Sequence, residues 1–181
     1  MNQTFLPGRS VFPSRNIIHR PSDLMGDAFI LKKFSSGMHY IVLDPITASY
    51  FTAQETRRVV CRLNDQITFH CAIMPKKEGG YFINIGSAIC QKLNLQEGAE
   101  VTATFTADTS EYQFTMPDEL KEVLNTDPEA DAAFHRLTAG NQRGLIYLVT
   151  QVKSSSNRIE RALRIAAQLK NGITSPRIIL K

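Results

Sequence analysis

Two stretches of this chain share one outline, and that repetition limits what it can fold into more than any other feature. Residues 79–105 read as strand, short helix, turn and strand. Tyr81 to Ile85 is a β-prone apolar run, Ser87 is placed to cap a helix whose Ile89 and Leu93 lie one turn apart, and Gly98 breaks that helix. Val101, Ala103, Phe105 and Ala107 then alternate with Thr102, Thr104 and Thr106, the period of a strand with one buried face. Residues 37–63 repeat the order: a strand from His39 to Leu43, Asp44-Pro45 opening a short helix, and a strand from Arg58 to Leu63. Such a duplication predicts a pseudo-symmetric β fold. It speaks to architecture and identifies no reaction.

The rest of the first half completes the strand set. Residues 28–34 form a strand pattern that Ser35-Ser36-Gly37 turns back, and Asn64-Asp65 is a hairpin signal joining the 58–63 strand to a strand over 66–74. Within the latter, Ile67, Phe69, Cys71 and Ile73 share one face; Thr68, His70, Ala72 and Met74 share the other, which puts His70 on the wetter side. Residues 75–80 read as an ordinary glycine-rich surface turn, because no helix N-terminus follows to cradle a phosphate. Beyond Ala107, Asp108-Thr109-Ser110 is a turn cluster, Tyr112 to Phe114 a short strand, and the period then changes to about 3.6 residues.

Four helices are expected. The first starts near Pro117 and buries Leu120, Val123 and Leu124; the second opens at Asp127-Pro128 and carries Ala132, Ala133, Phe134 and Leu137. The third runs over 141–153 with Leu145, Ile146, Leu148, Val149 and Val152 on its apolar face. The last opens at Asn157 with Glu160 as capping-box partner, buries Ile159, Ala162, Leu163, Ala166 and Leu169, and ends at Asn171-Gly172. The expected fold is therefore mainly β with α: an irregular arm over 1–24, with Met25 as an alternative start, a pseudo-duplicated β module over 25–115, which the resemblance described below implies is a double-split β-barrel, and a small helical module over 116–181.

Composition removes several classes. At 181 residues with 43% hydrophobic content the chain can bury a real core. Cys61, Cys71 and Cys90 are odd in number and lack CxxC spacing, so neither a disulfide framework nor a zinc site is expected, and a reduced cytoplasm suits them. No segment approaches the roughly 20 apolar residues of a membrane span, and the N-terminus has no apolar signal core. Charge is uneven. Ten acids stand between Glu97 and Asp131 against Lys121 alone, and nine bases follow from Arg136 onward against Glu160 alone. Such asymmetry means either a basic surface for an anionic partner or acidic and basic segments compensating within one molecule; the second is favoured.

The segment KLNLQEGAEVTATF resembles the swapped-hairpin barrels of AbrB-like transcription factors. More closely, HYIVLDP, FHCAIMPKKEGGYFINI and ADTSEYQFTMPDEL, over 28–124, are similar to double-split β-barrel domains of a bacterial family of unknown function. The stretch from Asp127 to Leu169 resembles the helical YdeI/OmpD-associated, or bacteriocin-protection, family. Its signature is an acid-capped helix, a Leu-Thr-x-Gly-x-x-Arg turn, then Lys153 followed by Arg158 and Arg161. Gln113 departs from the pattern, standing where glycine is usual in the turn. The resemblance implies a bacterial cytoplasmic protein linked to stress or bacteriocin tolerance.

Candidate site residues divide into two groups. Arg143, Lys153, Arg158 and Arg161 form a basic constellation. Arg158 sits in the first turn of its helix, where the macrodipole disfavours a cation, so either an acid from the 108–131 segment or a bound anion must offset it. His39, Tyr40 and His70 are candidates for a barrel mouth. No GxSxG, HExxH or Cys/His signature accompanies the histidines, so no catalytic residue, metal or cofactor is assigned and an enzyme is disfavoured. The expected function is non-enzymatic binding of a small anionic ligand or a protein partner. The alternatives are a DNA-binding regulator of the AbrB-like kind and a small hydrolase or transferase. Oligomeric state is left open.

Overall fold

The computed structural model describes residues 27–53 and 57–181. The expectations of an arm over 1–24 and of a start at Met25 lie outside the described residues. The first half contains β1 (Asp27–Ile30), β2 (Lys32–Lys33), β3 (His39–Leu43), α1 (Pro45–Ala53), β4 (Arg58–Leu63), β5 (Ile67–Ala72), β6 (Met74–Pro75), β7 (Tyr81–Ile85), α2 (Ser87–Lys92) and β8 (Glu100–Ala107). The strands make two antiparallel sheets of four, ordered β1-β8-β4-β5 and β2-β3-β7-β6.

Two strands pass from one sheet into the other. Leu31 separates β1 from β2 and Ile73 separates β5 from β6, and both side chains are buried. Each crossing residue has its backbone N–H bonded to the opposite strand, Leu31 to the carbonyl of Ala99 and Ile73 to that of Arg57. The mainly β expectation is met as two sheets that share two crossing strands and one core; their pairings do not run as the one continuous ladder of a closed barrel.

The duplication is legible in the packing. One offset of 42 positions takes Phe29 to Cys71, Leu31 to Ile73, Ile41 to Ile83, Leu43 to Ile85, Ala48 to Cys90, Val59 to Val101, Cys61 to Ala103 and Leu63 to Phe105. Every one of these side chains is buried in the first core. The same offset relates the two crossing bonds, since it takes Arg57 to Ala99. In the β3–β7 pair Ile41 lies opposite Ile83, so the pseudo-dyad passes between a residue and its own counterpart. The hairpin signal holds as well: Asn64 and Asp65 have φ of 50° and 53°, the left-handed pair a two-residue turn requires.

The second half holds α3 (Asp118–Thr126), α4 (Pro128–His135), α5 (Ala139–Thr150) and α6 (Ser155–Lys170). They enclose a separate core around Leu120, Phe134, Leu145, Ile146 and Ile165, closed by Ile179 from the final segment. Side-chain caps start three of the helices: the Asp127 carboxylate accepts from the N–H of Ala130, Thr138 from that of Asn141, and Ser154 from that of Asn157.

Four local expectations are corrected. Residues 112–114 form no strand, because Gln113 takes a left-handed φ of 51° and Tyr112 and Phe114 turn to the helical core. At α2 the cap position is Gly86, without a side-chain bond, not Ser87. The last helix is capped by Ser154 rather than Asn157, which takes Glu160 out of any capping-box position. Ile159 and Leu163 are 45% and 55% exposed while Ile165 is fully buried. The buried stripe is turned toward the side carrying Arg158, Arg161 and Ile165, spaced three and four apart.

Because Ile41 and Ile83 occupy equivalent places in one core, Ile41→Ala and Ile83→Ala should each destabilise the chain by about 2–5 kcal/mol. Urea unfolding curves of the two variants should fall close together; a cost confined to one of them would break the pseudo-symmetry of the packing.

Candidate functional site

The most concentrated polar chemistry lies where the sheets meet the helical half, and it is assembled from β4, β5, the end of β8, the turn after it, and α5. Asp108 follows β8 directly. Its side chain is fully buried, and its oxygens are spent: Oδ2 lies 2.7 Å from His70 Nδ1, and Oδ1 accepts from the backbone N–H of Ser110 at 3.1 Å and from its hydroxyl at 2.6 Å. Burial would raise the Asp108 pKa, but the bonds from Ser110 and His70 outweigh it and hold the carboxyl below its ordinary 3.8. The Asp-Thr-Ser turn expected from sequence is therefore also the seat of a buried carboxylate.

Gln113 is the hub of this seam. Its backbone carbonyl accepts from Arg58 Nη2 at 2.6 Å, its side-chain Oε1 accepts from Arg143 Nη1 at 3.2 Å, and its Nε2 donates to the Asp108 carbonyl at 3.4 Å. One residue in a left-handed conformation thus joins an arginine of the sheets to an arginine of the helices. A non-glycine residue at such a φ costs on the order of 1–2 kcal/mol, which these contacts offset. Arg58 Nε is buried and, among the described residues, has no hydrogen-bond partner. Burial lowers the Arg58 pKa, and Arg143 beside it pushes in the same direction.

The other basic candidates are spent elsewhere. Arg158 Nε donates to the carbonyl of Val152 at 2.7 Å and Arg161 Nη1 to that of Leu148 at 2.8 Å, so both guanidiniums meet carbonyls at and just past the end of α5, where a cation is favoured. Arg158 also lies 3.7 Å from Glu119, and Lys170 lies 2.6 Å from Asp127. Both acids belong to the acidic segment and both bases to the basic tail, so the two segments do compensate each other here. Lys153 is exposed between α5 and α6. Of the four predicted basic residues, only Arg143 reaches the seam.

The three barrel-mouth candidates are not brought together. His39 and Tyr40 point to opposite faces of β3. His39 lines a small recess with Lys33, Leu95, Gln96 and Glu97, and Tyr40 stacks on Phe34 at 3.9 Å between centroids, with Lys76 Nζ 5.6 Å from its ring. His70 stands on the other sheet, on the solvent-side face as expected, but bonded to Asp108. Sequence reasoning missed Arg58, Asp108, Ser110 and Gln113 as a group. The usable signal was Gln113 itself, a long polar residue at a position where the turn favours glycine.

A second polar chain lines a cavity of about 420 Å³ in the helical half, with Phe114, Met116 and Leu124 among its walls. His135 Nδ1 faces the carbonyl and carboxylate of Asp131 at 2.9 and 3.1 Å, and Nε2 lies 3.0 Å from the Tyr112 hydroxyl. Because both groups at Nδ1 are acceptors, that nitrogen carries a proton. Burial, a hydrogen bond to Glu111 and the charges of Glu111 and Asp131 raise the Tyr112 pKa to about 12, so the phenol stays protonated at neutral pH.

Two family models match, one on each half. Residues 27–105 match a domain of unknown function, DUF1905, and residues 113–172 match the OmdA model, described as bacteriocin-protection, YdeI or OmpD-associated. The two matches follow one another along the chain, and each covers less than half of it. The OmdA match begins at Gln113, the residue that holds the seam. No curated protein and no solved structure matches the chain. Among the described residues no helix is long and apolar enough to cross a membrane, and no group of three or more His, Cys, Asp or Glu side chains could hold a metal ion.

Two variants test the strength and chemistry of the seam. Gln113→Ala and Gln113→Gly both remove the amide bonds, but only glycine relieves the positive φ, so the glycine variant should be the more stable by about 1 kcal/mol. Equal urea midpoints would show that no strain is held there. Asp108→Asn should cost about 1–3 kcal/mol at neutral pH by disrupting a buried network. The folded Asp108 pKa lies below its unfolded value, so its ionisation contributes stability above about pH 4 that is lost as pH falls through the folded pKa. The gap between the parent and Asp108→Asn should therefore narrow at pH 3, as measured by urea unfolding at pH 7 and pH 3.

Proposed function

We propose that the chain is a non-enzymatic binding protein of the bacterial cytoplasm, acting in stress or bacteriocin tolerance, with an anionic ligand or acidic protein surface engaged at the seam between the DUF1905 domain and the OmdA module. The observation that carries this reading is the pairing of Arg58 with Arg143 across the seam. Among the described residues neither guanidinium has a carboxylate in ion-pair range, and both lean on the neutral oxygens of Gln113. Elsewhere in the basic tail, Arg158 and Lys170 have found acids. The bacteriocin-protection description of the OmdA model supplies the biological setting.

A DNA-binding role has less support. The α6 arginines that would have formed a basic face are bonded to α5 carbonyls, and the two halves of the β fold are already paired with each other inside one chain, so the fold needs no second copy to complete it. An enzyme has less support again, since among the described residues His70 meets a carboxylate and no hydroxyl or thiol nucleophile.

Anion binding of the folded chain should appear as thermal stabilisation. At ten times the dissociation constant a ligand adds about 1.4 kcal/mol, a rise of about 3–5 °C for a chain of this size. Phosphate, nucleotides, citrate and an acidic polypeptide should be compared at constant ionic strength. Unchanged melting with all of them would rule the reading out.

A further inference from the structure

We infer that Arg58 and Arg143 form a two-guanidinium site for one oxyanion group, a phosphate or a carboxylate, with the Arg58 Nε–H as its buried donor. This deepens the seam reading above and rests on it.

Three features converge. The first is an unspent donor: Arg58 Nε is buried and unpartnered while its Nη2 is held 2.6 Å from the Gln113 carbonyl. A buried N–H without an acceptor costs about 1–3 kcal/mol, and Nη2, which stands beside Nε, keeps a second N–H besides the one given to Gln113, so the two nitrogens together can offer the fork that carboxylate and phosphate oxygens match. The second is unbalanced charge. Arg143 is near enough to repel Arg58, and among the described residues the carboxylate that acts on Arg58 is Asp108, whose oxygens are already committed to His70 and Ser110. An oxyanion between the two arginines would remove the repulsion and satisfy the orphan donor together. The third is placement. Arg58 begins β4, whose entry is fixed when the Ile73 N–H binds the Arg57 carbonyl; Arg143 lies in the first half of α5, whose following Leu145 and Ile146 are fully buried. Both side chains are half-buried on rigid elements, and neither half of the chain contains the site alone.

Gln113 touches both arginines and Asp108 acts on Arg58, with His70 and Ser110 bonded behind Asp108. Asp108 opposes an anion, so the site suits a singly charged or protonated oxyanion better than a highly charged one. Gln113 Oε1 is the acceptor that occupies Arg143, and an entering oxyanion takes its place.

The test uses the full chain, titrated with inorganic phosphate and separately with acetate, read by the arginine Nε–Hε signals in a nitrogen-15 correlation spectrum. The Arg58 signal should move with one or both anions, and the apparent Kd should weaken at least tenfold in Arg143→Gln. Arg58→Lys keeps the charge but loses the fork, and it too should bind about tenfold more weakly; circular dichroism checks that each variant is folded. Movement with phosphate alone or with acetate alone identifies which oxyanion the fork prefers. If anions bind but only Arg158→Gln or Arg161→Gln weakens them, the Arg58–Arg143 assignment is overturned while anion binding stands. If no arginine signal moves and no anion raises the melting temperature, both readings fall.

Discussion

The structure depends on two backbone hydrogen bonds, Leu31 to Ala99 and Ile73 to Arg57, made where a strand leaves one sheet and enters the other. A crossing residue buries its side chain at a point where regular pairing lapses, so its N–H would be a costly orphan without a partner from the opposite strand. Meeting that need locks each crossing strand to the start of β4 or the approach to β8. The two sheets then share one core, and the entry of β4 is set within hydrogen-bonding tolerance. Arg58 is the next residue after that bond. The position of the seam is therefore a consequence of how the β half closes its own backbone.

The electrostatics follow from what each cation can reach. A chain with ten acids in one segment and nine bases in the next could present two opposed fields, yet Lys170 and Arg158 fold onto Asp127 and Glu119. Arg158 and Arg161 also hold carbonyls at and beyond the end of α5, which offsets the unfavourable place of Arg158 at the start of α6. These bonds explain the corrected face of that helix. Once Arg158 and Arg161 turn toward α5, Ile165 is carried inward and Ile159 and Leu163 outward. The seam is where this internal compensation stops, because the carboxylate that could serve Arg58 is bound instead to His70 and Ser110.

Gln113 concentrates three demands in one residue. Its backbone must turn the chain out of the β half, its carbonyl and amide must hold an arginine from each side, and its φ must be positive. Glycine would meet the first and third without strain and would leave Arg143 without its acceptor. That trade accounts for a polar side chain at a glycine-like position, and it makes the seam a polar contact between two separate hydrophobic cores.

Much of the fold was legible from local pattern. The alternation of Val101, Ala103 and Phe105, the repeated strand–helix–strand outline, the Asn64-Asp65 turn and the Asp127-Pro128 helix start are all short-range signals, and each has its counterpart in the structure. The candidate site was much less legible. Arg143 was singled out for its charge, but Arg58 was read only as the first residue of a strand, Asp108 and Ser110 only as a turn, and Gln113 only as an anomaly. Arg58 and Gln113 are 55 positions apart, and His70 and Asp108 are 38 apart, so no periodicity or motif could connect them. The sequence by itself determined most of the strands, helices and turns, though not the turn at Gln113 or every helix start, and that the β half is doubled, because those depend on hydrogen bonding and burial among near neighbours. Only the tertiary structure decided which charges neutralise each other and which donor is left over, because that depends on distances set by the packing of two cores.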